Sequence, residues 1–440
     1  MAYDVDAVRR CFPGLNREQD GQPAVFFDNP AGTQMAQRSI DRMVWAMTSC
    51  NANLGGHFQT SLEAQRLVDD VREAARDFVN AQDAAEIVFG QNMTTLTFMM
   101  SRTLGRDFEP GDEIVVTRMD HDGNVTPWVT LAEEKGLTIR WLDFDPETFE
   151  FDLAALDRVI TGRTRLVAVN YASNVTGTIN DVKTVAKAAK AVGALVYVDA
   201  VQFAPHGVID VQDIGCDFLV CSSYKFYGPH HGMMWGRREI LERLTAYKVR
   251  AADNELPTKF ETGTASREAL AGVMGAIEHY DWVGRQFGDP AGSRRDRIVA
   301  GVRAMQRHDQ QLAARLIDGL EQVPNLRIMG ITDRSRLDRR VPTVSFVIDD
   351  TDRARSRNTW PLRASMSGTA TIMGWSRSTG SACWTRAVSS ASAPPTTTAQ
   401  PRSIGSSMPW MPTCRSAGPA VEPARENDGA SSERRLNGRS

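Results

Sequence analysis

Short, continuously apolar runs alternate along the chain with longer stretches that are apolar on one face only. The clearest runs are Ala194-Leu-Val-Tyr-Val198, which ends on Asp199, and Asp217-Phe-Leu-Val-Cys221, which ends on Ser222. An apolar run that a polar cluster stops is typical of a parallel strand buried on both faces. The stretch between 182 and 192 has the spacing of an amphipathic helix. This alternation predicts an α/β fold around a mainly parallel sheet.

The same pattern predicts further elements on both sides of this strand pair. The predicted strands are Glu86 to Gly90, Asp112 to Val116, Ile139 to Phe144, Thr164 to Asn170, Met233 to Trp235, Leu326 to Met329 and Val341 to Ile348. The predicted helices are Ser61 to Asn80, Leu96 to Leu104, Leu153 to Ile160, Arg267 to Gly284 and Arg297 to Val323.

An acid and an amine follow two of these runs. Asp199 and Lys225 both lie just beyond the carboxyl end of a predicted strand, where open α/β sheets bind their ligands. Pyridoxal 5′-phosphate (PLP) needs an amine to form an imine with its aldehyde and a carboxylate to keep its pyridine nitrogen protonated. For these two residues alone, a surface ion pair is an equally good interpretation.

The residues around Asp199 and Lys225 favour the cofactor interpretation. Val198-Asp-Ala-Val-Gln202 and Ser222-Ser-Tyr-Lys225-Phe-Tyr-Gly-Pro229 resemble the signature of the class V aminotransferases, and most closely their cysteine desulfurase-like branch. The resemblance covers roughly residues 10 to 350. It implies the PLP-dependent fold type I, with a seven-stranded, mainly parallel large-domain sheet and a smaller α+β C-terminal domain that is incomplete here.

The resemblance also implies domain limits and a reaction class. The N-terminal arm would span residues 1–30, the large PLP-binding domain 31–255 and the partial small domain 256–352. Met233-Met-Trp235 would be an antiparallel edge strand. The enzyme would use pyridoxal 5′-phosphate to act on a small amino acid, by desulfuration, transamination or β-elimination.

Five residues match positions that act on the cofactor ring in relatives. Lys225 would form the imine and later move the substrate's α-proton, and Asp199 would hold the pyridinium. His121 would stack on the ring and handle protons, while Asn174 and Gln202 would bind the phenolic oxygen. Read without the resemblance, a lone histidine after a strand is more often structural, and Asn174 is a good turn former.

A second group would bind the cofactor phosphate. The turn Gln91-Asn-Met-Thr94 joins a predicted strand to a helix N-terminus, where free backbone N–H groups and the helix dipole attract anions. A simple N-cap role for Thr94 fits the same geometry. The predicted phosphate-binding residues on this chain's own site are Asn92, Met93, Thr94, Ser222 and Tyr224.

One phosphate contact is expected to cross between subunits. Glu261-Thr-Gly-Thr264 resembles a family segment whose threonine reaches the phosphate of the neighbouring subunit. Thr264 therefore implies a homodimer with composite active sites.

Composition narrows the class of protein further. The chain has 440 residues, 42% hydrophobic and 24% charged, which is ordinary for a soluble protein. It has no apolar run of membrane length and no signal-peptide pattern at its start, so we expect a cytoplasmic protein without a membrane or nucleic-acid partner. The six cysteines lack zinc or disulfide-framework spacing, and Cys216 and Cys221 are expected to act as small hydrophobic residues.

The character of the chain changes after Asp352. Residues 353–440 contain 12 arginines, no lysine and four acidic residues, with only six Leu, Ile or Val and no Phe or Tyr. Such a segment buries too little apolar surface to offset the entropy of ordering it. It is predicted to be either a natural disordered tail or the product of a shifted reading frame. If reading starts two bases into the Met366 codon, the possible codons of Met366 and the following residues permit Val-Trp-Asp-Gly-Asn-Tyr-His-Gly. The cysteine desulfurase-like branch has a similar sequence at this position.

This tail leaves the expected activity open. It lacks the family's carboxylate-binding arginine and the mobile-loop cysteine of conventional desulfurases, and Cys383 and Cys414 are poor substitutes. A catalytically impaired PLP-binding protein and a PLP-dependent β-lyase are therefore alternatives. A dinucleotide-binding protein is disfavoured because no Gly-x-Gly-x-x-Gly follows the early strands. Sequencing the gene around codon 353 would separate a natural tail from an indel.

Overall fold

A computed structural model describes residues 3–19, 21–288 and 291–348, and the backbone of 370–375 and 382–387. The helices are α1 (Val5–Arg9), α2 (Gln37–Ser49), α3 (Gln59–Val79), α4 (Met93–Leu104), α5 (Thr126–Lys135), α6 (Leu156–Val159), α7 (Val182–Ala191), α8 (Val211–Ile214), α9 (Arg238–Arg243), α10 (Arg267–Phe287) and α11 (Arg294–Leu320). The strands are β1 (Glu18–Gln19), β2 (Gln22–Pro23), β3 (Ile87–Gly90), β4 (Glu113–Thr117), β5 (Thr138–Leu142), β6 (Thr164–Asn170), β7 (Leu195–Asp199), β8 (Phe218–Ser222), β9 (Gly232–Gly236), β10 (Leu326–Met329), β11 (Ser345–Ile348), β12 (Ala370–Trp375) and β13 (Ala382–Ala387).

Seven strands form the central sheet in the order β3-β9-β8-β7-β6-β4-β5. The strands β5, β4, β6, β7 and β8 pair in parallel, and β9 is antiparallel to both of its neighbours. The predicted seven-stranded, mainly parallel sheet is confirmed. The prediction that β9 is an edge strand is wrong, because β3 adds outside it and closes that side.

Helices cover both faces of this sheet, which explains why the strands are apolar throughout. Val196 and Val198 of β7 pack in one buried cluster with α3, α7 and α10. Tyr197, between them, packs in a second cluster with α4 and α5. Since successive strand residues point to opposite faces, both faces must be apolar.

Two predicted elements are shorter than the pattern indicated. The helix expected from Leu153 to Ile160 is a 3₁₀ turn, Leu153–Ala155, followed by the four-residue α6. The strand expected from Val341 to Ile348 begins only at Ser345, where it pairs antiparallel with β10. Its first residues instead contact the turn after β6, with Val341 N donating to Gly177 O at 2.8 Å.

The predictions for residues 353–440 lie outside the described residues, apart from the backbone of β12 and β13, which pair antiparallel. The disordered-tail and frameshift hypotheses therefore stay predictions. Within the ranges that the structure describes, every helix is too short or too polar to cross a membrane.

Candidate active site

The site lies at the carboxyl ends of β7 and β8. Asp199 is the last residue of β7, and Lys225 ends a 3₁₀ turn, Ser223–Lys225, that follows β8 without any intervening loop. The two strands pair in parallel, with Asp199 opposite Val220. The sheet therefore brings the predicted acid and amine to one edge.

Both charged groups are buried and neither neutralises the other by contact. Lys225 is 8% exposed and Asp199 is 4% exposed. Burial lowers the pKa of Lys225 to about 8, against the attraction of Asp199, and raises the pKa of Asp199 to about 6. No Asp199–Lys225 ion pair occurs among the described residues, so the surface ion-pair interpretation is wrong.

The N-terminal turn at residues 28–32 closes over the lysine. Lys225 Nζ donates to the carbonyl of Pro30, and Thr33 N donates to Tyr224 O at 3.0 Å. The Tyr224 ring stacks on His230 with centroids 4.9 Å apart, and Lys225 Nζ lies 5.2 Å from the Tyr224 centroid. Tyr227 N also donates to Thr33 Oγ1 at 2.9 Å, so the backbone is fixed on both sides of the lysine.

His121 and Thr94 come together around a glycine. His121 Nδ1 accepts a hydrogen bond from Gly123 N at 3.0 Å, which orients the imidazole. A Cβ at Gly123 would lie 2.8 Å from Thr94 Oγ1 and 3.1 Å from His121 Nδ1. The close approach therefore requires glycine, and it joins the predicted stacking residue to the predicted phosphate turn.

The turn before α4 is bound to β8 and β9. Ser222 Oγ accepts from Met93 N at 2.9 Å, and a Cβ at Gly232 would lie 2.6 Å from the Asn92 backbone. The amide of Asn92 donates to Thr95 Oγ1 at 3.2 Å, as half of a capping box. The amides of Asn92 and Met93 already have acceptors, and the Thr94 hydroxyl donates weakly to Met93 Sδ at 3.9 Å. The Thr94 amide and the nearby Ser222 hydroxyl therefore remain as donors for an anion.

The two residues predicted for the phenolic oxygen differ in how firmly they are held. Gln202 is buried, and its Nε2 donates to Thr343 Oγ1 at 3.0 Å. Its Oε1 is buried without a hydrogen-bond partner among the described residues. Asn174 lies in the turn after β6, partly exposed, and the described residues give its side chain no hydrogen bond.

Sequence reasoning missed Asp120, which precedes His121. Its carboxylate accepts from Asn124 Nδ2 at 2.6 Å and from Asn170 N at 3.1 Å, and Trp128 Nε1 donates to Asn124 at 3.3 Å. Burial raises the pKa of Asp120 to about 8 despite these hydrogen bonds. The available signal was an acid three residues after a strand, which is too common in sequences to single out.

Thr264 does not join this cluster within its own chain. Arg72 Nη2 and Phe89 N donate to the carboxylate of Glu261 at 2.7 and 3.1 Å, which fixes the start of the segment. Thr264, three residues later, is exposed.

The four cysteines with described side chains are free, and Cys50, Cys216 and Cys221 are fully buried. Burial raises the pKa of the Cys216 thiol to about 12 and that of Cys221 further. Neither is suited to form a thiolate nucleophile.

These residues fit pyridoxal 5′-phosphate. A buried amine and a buried carboxylate lie at one edge of the sheet, the Gln202 side-chain amide has one unpartnered end, and the N-terminus of α4 has a free backbone amide at Thr94. Each feature matches a different part of the cofactor: its aldehyde, its ring nitrogen, its phenolic oxygen and its phosphate.

The comparisons with known proteins define the family. A sequence model of the Aminotransferase class-V family matches residues 25–358. The chain therefore belongs to the class V aminotransferases, which in general are PLP-dependent enzymes.

Relatives and solved structures place it near the cysteine desulfurases. The chain is 33% identical over 349 residues to a cysteine desulfurase of Pectobacterium carotovorum, covering 76% of this chain and 81% of the relative. It is 31% identical over 355 residues to an aminotransferase-like protein of Gibberella zeae, covering 79% and 83%. The apo structure of a cysteine desulfurase from Thermococcus onnurineus superposes with a TM-score of 0.70 at 26% identity, covering 81% and 85%. The predicted family and fold type are confirmed.

Proposed function

We propose that the protein binds pyridoxal 5′-phosphate through Lys225 and uses it to transform a small amino acid. The observation that carries this proposal is the buried amine of Lys225 beside the buried carboxylate of Asp199, at adjacent strand ends and without an ion pair. When bound, the cofactor supplies an electron sink for negative charge at the substrate α-carbon. The chain's own residues bind, orient and move protons around it.

Lys225 is proposed as the covalent anchor and the proton carrier. With a pKa of about 8, an appreciable fraction of the amine is neutral near neutral pH. A neutral amine is both a nucleophile and a base, and catalytic lysines are commonly tuned in this way. Lys225 would take and return the proton at the substrate α-carbon.

Asp199 is proposed to hold a proton on the ring nitrogen. Its Oδ1 accepts from Val201 N at 2.8 Å, while Oδ2 has no partner among the described residues and can face a ligand. With a pKa of about 6, Asp199 is mostly ionised at neutral pH. A buried carboxylate attracts a cationic ring strongly because little water screens it.

The remaining predicted residues would orient the cofactor. His121 would stack on the ring, and Asn174 and Gln202 would contact the phenolic oxygen. The phosphate would be bound by Thr94, Ser222 and Tyr224 together with the N-terminus of α4, with Asn92 and Met93 shaping the turn.

The partner proposed for this chain is a second copy of itself. Among the residues whose side chains the structure describes, seven of the ten exposed large apolar side chains lie between residues 25 and 62, on α2, at the start of α3 and before them: Val25, Phe27, Val44, Trp45, Met47, Phe58 and Leu62. Large exposed apolar patches commonly mark interfaces. Burying them in a homodimer would also allow the exposed Thr264 to reach the phosphate of the neighbouring subunit.

Between the possible reactions, β-elimination is supported by one observation. The thiols of Cys216 and Cys221 are buried with raised pKa values, so neither is suited to act as a thiolate. Conventional desulfuration needs a thiolate to accept the substrate sulfur. A β-lyase does not, because cysteine and water give sulfide, pyruvate and ammonia without any transfer of sulfur to a protein thiol. Free cysteines also fit the proposed cytoplasmic location.

The test is a spectrum followed by a product screen. Purified protein is mixed with pyridoxal 5′-phosphate and then with cysteine, alanine and related amino acids. We expect a cofactor absorbance band, and pyruvate with sulfide from cysteine. Alanine with protein-bound sulfur would instead support desulfuration, a band without any turnover would support the impaired PLP-binding alternative, and a protein that stays colourless would refute the proposal.

A further inference from the structure

Gln202 is tied to a residue much further along the chain. Its Nε2 hydrogen bonds to Thr343 Oγ1 at 3.0 Å, and both side chains are buried. Its Oε1 is also buried, without a partner among the residues that the structure describes. One end of the amide is therefore held by Thr343 and the other is free.

Arg340 fixes the backbone that carries Thr343. It is 3% exposed, and its guanidinium donates to the main-chain carbonyls of Thr343, Thr176 and Ile331. Within the described part of the chain it forms no ion pair with a carboxylate. A guanidinium has five N–H donors in a rigid fork, so it can bind several carbonyls at once.

The same segment is hydrogen bonded to the turn that contains Asn174. Val341 N donates to Gly177 O at 2.8 Å, and Ile179 N donates to Arg339 O at 2.9 Å. Gly177 has φ +78°, and a Cβ there would lie 2.5 Å from Thr343 O. Residues 339–343 thus contact both elements predicted to bind the phenolic oxygen.

A hydroxyl can serve either end of an amide. The oxygen and nitrogen of a glutamine side chain have nearly the same shape, and a threonine hydroxyl can donate to one or accept from the other. A negatively charged phenolic oxygen needs a donor. The side-chain amide of Gln202 must therefore be flipped from the orientation described above. The Thr343 hydroxyl then donates to Oε1, and Nε2 points toward the ligand.

We propose that Thr343 is a positioning residue that presents the Gln202 N–H group to the phenolic oxygen of the cofactor. This inference rests on the proposed function, in which Gln202 binds that oxygen. Through this hydrogen bond, the segment 339–343 would influence the charge on the phenolic oxygen of the bound cofactor.

The experiment is a pH titration of the bound cofactor's absorbance. Deprotonation of the bound cofactor increases the negative charge on the phenolic oxygen, and a donated hydrogen bond favours the charged form. Thr343→Val removes the hydroxyl at nearly constant volume, so we expect the titration midpoint to rise by about one pH unit. Thr343→Ser should keep the wild-type midpoint, and Gln202→Leu should give the same rise as Thr343→Val.

Thr178 provides a matched control. It is a buried threonine in the same contact region, and its hydroxyl accepts from Thr176 Oγ1 at 3.0 Å and does not hydrogen bond to Gln202. Thr178→Val should leave the midpoint unchanged. Thr343→Ala replaces Thr343→Val if melting curves show that the valine variant does not fold.

The outcomes distinguish a failure of this inference from a failure of the proposed function. A double variant Gln202→Leu/Thr343→Val that shifts no further than either single change supports it, because both changes remove one hydrogen bond. The inference is overturned if Thr343→Val has no effect while Gln202→Leu does, if the two shifts add, or if Thr178→Val shifts the midpoint equally. A wild-type protein without any cofactor band refutes the proposed function and this inference together.

Discussion

Buried charged residues lie at both ends of the central strands, but they are paired with opposite charges only at the amino ends. At the amino ends, Glu113 of β4 has a fully buried side chain that pairs with Arg140 and Arg163, at 2.7 and 2.9 Å. At the carboxyl ends, Asp199 and Lys225 are buried without an ion pair.

The pKa values record the same difference. Burial would raise the pKa of Glu113, but the hydrogen bonds from Arg140, Thr161 and Arg163 outweigh it and the pKa is lowered. Burial dominates at Asp199 and Lys225, so the acid's pKa rises and the amine's falls. A buried charge that is paired with opposite charges, as at Glu113, stabilises the fold. Buried charges without an ion pair, as at Asp199 and Lys225, are typical of a ligand-binding site.

The largest effect is expected from Asp199→Asn. If the carboxylate holds the ring proton, its loss should lower kcat/KM by roughly 10³-fold, as for other electrostatic groups in active sites. Steady-state kinetics with the best substrate of the screen measures it. Activity within tenfold of wild type would remove Asp199 from the mechanism.

Asp217→Asn tests the opposite end of the neighbouring strand. Asp217 pairs with Lys190 and with Arg237, the latter at 3.3 Å, and accepts from Val196 N at 2.8 Å. Breaking a buried pair from one side should reduce the free energy of unfolding by about 3 kcal/mol. Urea unfolding checks this, and the cofactor spectrum should not change. A changed spectrum with unchanged stability would contradict the structural role assigned to Asp217.

The amino acid sequence predicted the parts of this comparison that depend on periodicity. Continuous apolar runs identified β6, β7 and β8, and the polar residue after each run identified the ligand edge. The lysine motif then identified the family. These signals lie within short stretches of sequence, so they can be recognised without knowledge of the tertiary contacts.

Long-range contacts could not be predicted in this way. Thr343 lies 141 positions from Gln202, and nothing in either local sequence indicates the hydrogen bond. The position of β3 outside β9 depends equally on sheet order. In the sequence, Asp120 is one of many acids that follow a strand, and only the structure shows that Asn124 and Asn170 bind it.

Lys225→Met should make the apo protein more stable while abolishing its function. Folding lowers the lysine pKa from 10.5 to about 8, so the folded state disfavours the ammonium. That penalty is full below pH 8 and disappears as pH rises toward 10.5. We expect a gain on the order of 1–3 kcal/mol at pH 7. Unfolding curves at pH 7 and pH 10 measure it, and an equal gain at both values would contradict the stated cause.

The smallest effect is expected at Cys221, which lies one residue before the carboxyl end of β8. Its thiol is fully buried with a raised pKa, so it packs rather than reacts. Cys221→Ala should change kcat by less than about twofold, with about 1–2 kcal/mol lost in stability from the missing sulfur. Turnover assays and melting curves check both. A loss of activity without a loss of stability would reopen a catalytic role for this cysteine.

Covalent trapping tests the central claim most directly. The protein is incubated with pyridoxal 5′-phosphate, reduced with borohydride and digested, and the seven lysine-containing sites are mapped by mass. Lys259 is an internal control, since it is equally buried and, like Lys225, donates to main-chain carbonyls, those of Leu241 and Glu242 at 2.9 and 2.7 Å. We predict the cofactor mass on Lys225, none on Lys259, and none anywhere in Lys225→Ala. Cofactor on another lysine, or a reducible adduct that persists in Lys225→Ala, would contradict the assignment.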